Sequence, residues 1–242
     1  MTAAVRLHRR RGREAEGETL VEGPHLLEAA VAAGIRPKRI FVASGDAAGE
    51  ALARSSGGEV LAVDQRTLAR LATTATPQSP VAVIAIPDRP VPAGGRVLVA
   101  WGVSDPGNCG TLIRIAAAFG YGYLAGPASA DVWSPKVLRA AAGAHFATWI
   151  GHVATLDAVR LGGRAVVATV ARDGAPPGPL PDAAAVMVGS EAHGLPDEIV
   201  AAADLRVTIP TSGAVESLNA AVAGAIVAYV GALGTTTNLT GS

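Results

Sequence analysis

The chain has 242 residues, half of them apolar, which is enough to bury a sizeable core in one large domain or two small ones. Its 20 basic and 20 acidic residues cancel, so no global field attracts nucleic acid and any such attraction must come from local clusters. The single cysteine, Cys109, excludes an internal disulfide and a CxxC metal site. The N-terminus carries charge without a signal-like apolar segment, and no window approaches the ~20 apolar residues of a membrane span. These features predict a soluble cytoplasmic protein with no membrane or metal partner.

Taken in order, residues 5–13 bring Arg6, His8, Arg9, Arg10, Arg11 and Arg13 together with no acid among them. Such a run is either an arm for phosphate or a solvated, frayed terminus. From residue 19 strands alternate with short helices: strand 19–23, helix 24–33 opened by Pro24 and stopped by Gly34, strand 39–44, helix 46–55, strand 59–64, helix 65–72 and strand 81–86. This predicts a small α/β domain over 1–86. Within it, TTATPQSP at 73–80 reads as an exposed turn-rich connection. PDRPVPAGG at 87–95, with three prolines and two glycines, reads as a linker.

The alternation then restarts: strand 96–102, helix 108–119, strand 121–124, helix 134–142, strand 148–151, helix 155–161, strands 165–170 and 184–189, helix 196–203, strand 206–209 and helix 217–232. The expected architecture is a second α/β domain over 96–234, with a mostly parallel sheet covered on both faces and a disordered tail at 235–242. Three of its strand-to-helix turns concentrate polar side chains, at 102–108, 189–196 and 210–219. In an open α/β sheet, such turns are where ligands bind.

Several chemistries lose their usual markers. There is no phosphate loop, no G-x-G-x-x-G turn, no H-E-x-x-H pair and no G-x-S-x-G elbow. What remains lies at the three turns. Asn108 follows Asp105-Pro106-Gly107, and its ordinary role is helix N-cap. Arg114 is a lone cation among Leu112, Ile113, Ile115 and Ala116, so it either snorkels to a surface, pairs with an acid, or acts. Glu191, after the apolar strand ending at Gly189, suits a helix start, and Ser217 is a natural cap for the last helix. Cys109 has no activating partner in sequence and reads as a small buried hydrophobe. A lone His193 is a weak candidate base.

The three blocks DPGNCGTLIR, GSEAHGL and IPTSGAVESLN, in that order, resemble the motifs of the SpoU (TrmH-like) branch of the SPOUT RNA methyltransferases. The stretch TLVEGPHLLEAAVAAG resembles the start of that family's substrate-binding domain. The resemblance implies a small N-terminal α/β substrate-binding domain, a C-terminal SPOUT domain with a deep trefoil knot, and a homodimer through that domain. It implies S-adenosyl-L-methionine as methyl donor, bound mainly by backbone at Gly189, Ile209 and Leu218. Arg114, Asn108, Glu191, Ser217 and Asn219 become the catalytic set, with Arg9, Arg10 and Arg11 as RNA contacts. A guanidinium is a very poor base, so orienting the hydroxyl or its phosphate is the easier role for Arg114. The expected reaction is 2′-O-ribose methylation of structured RNA, ribosomal RNA first. Transfer RNA, or a non-catalytic RNA-binding protein keeping the fold, are the alternatives. A housekeeping and an antibiotic-resistance role look alike in sequence.

Overall fold

The computed structural model describes residues 2–89, 92, 94–215 and 217–233. The expected tail at 235–242 lies outside the described residues, as do three positions of the expected linker. Two compact units are present. One takes the described residues as far as Asp88 together with Asp131–Ala147. The other takes Arg89–Ala130 and the described residues from Thr148 onward.

The first unit runs α1 (Thr2–Arg6), α2 (Arg10–Glu16), β1 (Glu18–Glu22), α3 (Pro24–Ala32), β2 (Arg39–Ala43), α4 (Ala47–Ser56), β3 (Glu59–Val63), α5 (Gln65–Leu71) and β4 (Val81–Ala85). Its sheet order is β1-β4-β2-β3, antiparallel at β1–β4 and β4–β2 and parallel at β2–β3. Asp46 and Asp64 cap α4 and α5 by accepting from Gly49 N and Thr67 N.

The basic stretch is not frayed. Ala4 and Leu7, three residues apart, are fully buried with Phe41, Leu68 and Leu71, and that apolar anchor folds the segment into α1 and α2. Arg13 is 4% exposed. It donates to Leu7 O at 2.6 Å and pairs with Asp131, so it is withdrawn from any phosphate-binding set. Arg9, Arg10 and Arg11 are exposed, and Arg10 pairs with Glu14 at 2.7 Å. The connection at 73–80 is also held. The buried Glu22 carboxylate accepts from Thr73 N, Thr73 Oγ1, Thr74 Oγ1 and Gln78 N.

In the second unit the chain passes through β5 (Val97–Trp101), α6 (Pro106–Ala118) and β6 (Gly122–Ala125). It then supplies α7 (Pro135–Ala141) to the first unit, where α7 packs on β1. The second unit resumes with β7 (Ile150–His152), α8 (Leu156–Arg160), β8 (Ala165–Thr169), β9 (Ala184–Gly189), α9 (Asp197–Ala202), β10 (Leu205–Val207) and α10 (Ala220–Ala232). Its sheet order is β10-β8-β9-β5-β6-β7, and every pairing is parallel. Such strands bury both faces. Val97, Val99, Ala185 and Met187 meet Val159 and Ile199 from α8 and α9, while α10 and α6 pack together, with α10 also on β9 and α6 also on β5 and β6. The end of the expected linker is fastened down: Arg164, 2% exposed, donates to the carbonyls of Pro92, Gly94 and Gly95.

Candidate active site

In the second unit β6 and β7 continue to one side of β5, and β9, β8 and β10 lie to the other. The order therefore reverses between β5 and β9, and the crevice beyond the carboxyl ends of those strands is where an open parallel sheet places its ligand. Register aligns these ends, with Trp101 opposite Gly189 and Ala168 opposite Met187.

The turn after β9 is a tight one. Ser190 and Gly194 exchange backbone hydrogen bonds of 3.1 and 2.9 Å, with Gly194 at φ 68°. A Cβ at Gly189 would lie 2.2 Å from the Gly194 carbonyl carbon, so only glycine lets the end of β9 lie against this turn. Glu191 projects from the turn and accepts from Asn108 Nδ2.

Asn108 is not the cap of its helix. Asp105 is: its carboxylate accepts from Asn108 N at 2.8 Å, with Pro106 at the first helical position. Asn108 sits in the first turn with its side chain released, and it both donates to Glu191 and accepts from Asn219 Nδ2 at 3.0 Å. Nor is Ser217 the cap of the last helix, which starts at Ala220 rather than 217. Asn219 Oδ1 accepts from Ala221 N and Val222 N at 2.9 and 3.2 Å. That cap fixes the amide's orientation: with its oxygen committed to the helix, Asn219 must present Nδ2 to Asn108, and Asn108 must in turn present Nδ2 to the carboxylate. A one-way chain of donors thus runs from the start of α10, through α6, to Glu191.

Beside this chain lies a cleft of about 560 Å³, of the size that holds a small organic ligand. Of the expected residues, Gly189, Glu191, Ile209, Ser217 and Leu218 line it, as does His193. Arg114 does not. It is exposed on α6, where Leu112 and Ile113 are the buried neighbours, and it is hydrogen-bonded to no described residue. Cys109 is fully buried with Sγ 3.0 Å from Tyr123 Oη, a packing thiol as its sequence context suggests.

Residues 95–229 match the SpoU rRNA Methylase family, and residues 2–82 match the MRM3-like substrate binding domain. The chain belongs to the SpoU rRNA methylase family. A similar relative is the 23S rRNA (guanosine(2553)-2′-O)-methyltransferase RlmP of Bacillus subtilis, 32% identical across 93% of this chain and 92% of its own length. Two solved structures match over nearly the full length. The SpoU methyltransferase AviRb from Streptomyces viridochromogenes, in complex with AdoMet, has a TM-score of 0.84 at 26% identity, covering 97% of each chain. An AdoMet-bound rRNA methyltransferase from Sinorhizobium meliloti has a TM-score of 0.82 at 27% identity, covering 95% of this chain and 92% of its own.

In this SpoU family chain the cleft also has a wall that sequence reasoning passed over, Thr169 at the end of β8 and Val170–Arg172 after it. Its signal was available, because these residues follow a parallel strand at the same sheet end as the three polar turns. What hid them was the absence of a helix directly after β8.

Proposed function

We propose that the chain is an S-adenosylmethionine-dependent methyltransferase of ribose 2′-hydroxyls in structured RNA, with ribosomal RNA as substrate. The observation that carries this reading is the convergence of the β8, β9 and β10 turns on one cleft, with the β5 turn joined beside it through the hydrogen bonds of Asn108 to Glu191 and Asn219. Full-length similarity to a 23S rRNA 2′-O-methyltransferase, and the substrate-binding domain matched ahead of the SpoU region, support the choice of reaction and RNA.

The cleft suits such a donor. Val188, Leu195, Val207 and Leu218 offer apolar surface to a base, and the backbone groups of Ile209 and Leu218 have no hydrogen-bond partner among the described residues. A nucleoside edge can take up those groups, so Gly189, Ile209 and Leu218 are assigned to donor binding and Ser217 to the cleft rim. The donor supplies an already activated sulfonium methyl, which leaves the protein the tasks of binding and alignment.

Glu191 holds Asn108, and Asn219 holds it from the other side, so the start of α6 is kept in one arrangement. Arg114, hydrogen-bonded to no described residue, carries a guanidinium that donates hydrogen bonds and accepts none. Its role is to orient the ribose hydroxyl or the adjoining phosphate, while the hydroxyl proton passes to solvent. Arg9, Arg10 and Arg11 contribute phosphate contacts from the first unit.

The SpoU reading also brings a deep trefoil knot around the donor cleft, a cytoplasmic location and a homodimer. For the dimer, support comes from α10, which carries no charged residue yet exposes Val222 (48%) and Tyr229 (52%), an apolar face that association would cover. Among the described residues no helix is long and apolar enough to cross a membrane. The deciding experiment is transfer of labelled methyl from S-adenosylmethionine to ribosomal and transfer RNA that lack the modification. Label recovered as 2′-O-methyl nucleotide in ribosomal RNA is the expected result. Label in transfer RNA alone would replace the substrate, and failure to bind the donor would remove the reading.

A further inference from the structure

Arg172 has no part in the donor-chain of Asn219, Asn108 and Glu191, yet it lines the same cleft and brings the one guanidinium among the described residues of its wall. Its position is built. Val170 N donates to Val207 O at 2.9 Å, Gly174 N to Thr208 Oγ1 at 2.9 Å, and Ala175 N to Arg206 O at 2.9 Å, with Thr208 N returning a bond of 2.9 Å to Ala175 O. Both ends of the tripeptide Ala171–Asp173 are thereby tied to β10 and the residue after it. The loop closes through Asp173 at φ 61°, a conformation that Asp tolerates better than most side chains. Gly174 is required there, since a Cβ would lie 2.7 Å from Thr208 N.

A pinned loop thus presents an exposed arginine that makes no hydrogen bond or ion pair with any described residue. Glu191, the acid lining the cleft, is engaged by Asn108 and forms no ion pair with it. A guanidinium that pairs with no described residue, carried on a fixed backbone at the wall of a small-ligand cleft, can take up an anion from that ligand.

We propose that Arg172 binds the α-carboxylate of the donor's methionine moiety. This rests on the methyltransferase reading, under which the cleft takes a molecule with a nucleoside at one end and an amino acid at the other. The base lies on the apolar surface of Leu195, Val207 and Leu218, and the carboxylate is the one anionic group such a molecule carries. Arg172 is a binding residue that sets affinity for the amino-acid end and takes no part in the transfer itself.

The test is a calorimetric comparison on the full chain of two probes, S-adenosylhomocysteine, which keeps the carboxylate, and 5′-methylthioadenosine, which lacks the amino-acid end. Arg172→Gln is expected to weaken the first by about 10- to 100-fold, the scale of a lost charge-assisted hydrogen bond, and to leave the second within about twofold, which also shows that the cleft is intact. Arg172→Lys recovers part of the loss. Equal weakening of both probes, or of neither, overturns the assignment. So does a variant that binds S-adenosylhomocysteine normally but loses affinity for RNA, because the anion would then be a phosphate. If the wild-type chain binds neither probe, the methyltransferase reading fails and takes this proposal with it, a failure visible before any variant is made.

Discussion

Asn219 carries two duties through the two ends of one amide, and substitution can separate them. Asn219→Ala removes the α10 cap and is expected to cost about 1 kcal/mol of stability, while also releasing Asn108. Asn219→Asp keeps an oxygen for Ala221 N and Val222 N but has no N–H for Asn108. The aspartate variant should therefore melt close to wild type while methyl transfer stays low. Recovery of both would mean that Asn219 acts as a cap alone. Arg114 offers a complementary case. Being exposed and uncommitted, Arg114→Ala should leave melting temperature and donor affinity unchanged and lower methyl transfer by about 100-fold or more, the scale of a lost alignment. A variant that transfers normally would remove Arg114 from the site. Residue identity at these positions was readable, but its use was not. Asn108 and Ser217 both sit where a cap is expected, and Asp105 and Asn219 cap instead, because a cap is decided by which side chain reaches the free N–H groups.

At the scale of elements, the packing of α6 on α10 depends on close approach. A Cβ on Gly224 would lie 2.5 Å from Leu112 Cδ2 and 3.3 Å from Val188 Cγ2. Gly224→Ala should thus destabilise the second unit by about 1–3 kcal/mol, measured by urea unfolding. The short turn after α7 gives a pH prediction for the first unit. His145 is 2% exposed, donates from Nε2 to Val132 O at 2.6 Å, and leaves Nδ1 without a hydrogen-bond partner among the described residues. Burial lowers its pKa from 6.5 to about 4, against the opposing pull of that hydrogen bond. The folded state therefore binds fewer protons than the unfolded state between those values. Its contribution is complete above pH 6.5 and declines as pH falls toward 4. Urea midpoints of wild type should drop between about pH 7 and pH 5, and His145→Asn should flatten that dependence whatever its own stability. An equal pH slope in the variant would assign the effect to other groups.

For the whole molecule, association and RNA binding are the properties still to be measured. Tyr229→Asp on the exposed face of α10 should convert a dimer to a monomer in light scattering, and a wild-type chain that is already monomeric would leave that face for another partner. Replacing Arg9 and Arg11 by Ala should lower the salt dependence of RNA binding, with a slope change of about 0.7–0.9 for each phosphate that is no longer neutralised. The alternation of strands and helices was legible along the chain because apolar period and turn residues are local properties. So were the three polar turns and the family resemblance they carry. Burial of charge was not legible. Arg13 disappears from the basic stretch by pairing with Asp131, 118 residues away, and Arg164 is buried on carbonyls about 70 residues away, at Pro92 and Gly94. The assignment of Asp131–Ala147 to the first unit was hidden for the same reason. The sequence by itself determined which segments form strands and helices and which side chains stand at their turns. Only the tertiary structure decided which of those side chains cap, which are buried and which, like Arg172, remain free to meet a ligand, because each of those outcomes depends on partners that the chain brings together only by folding.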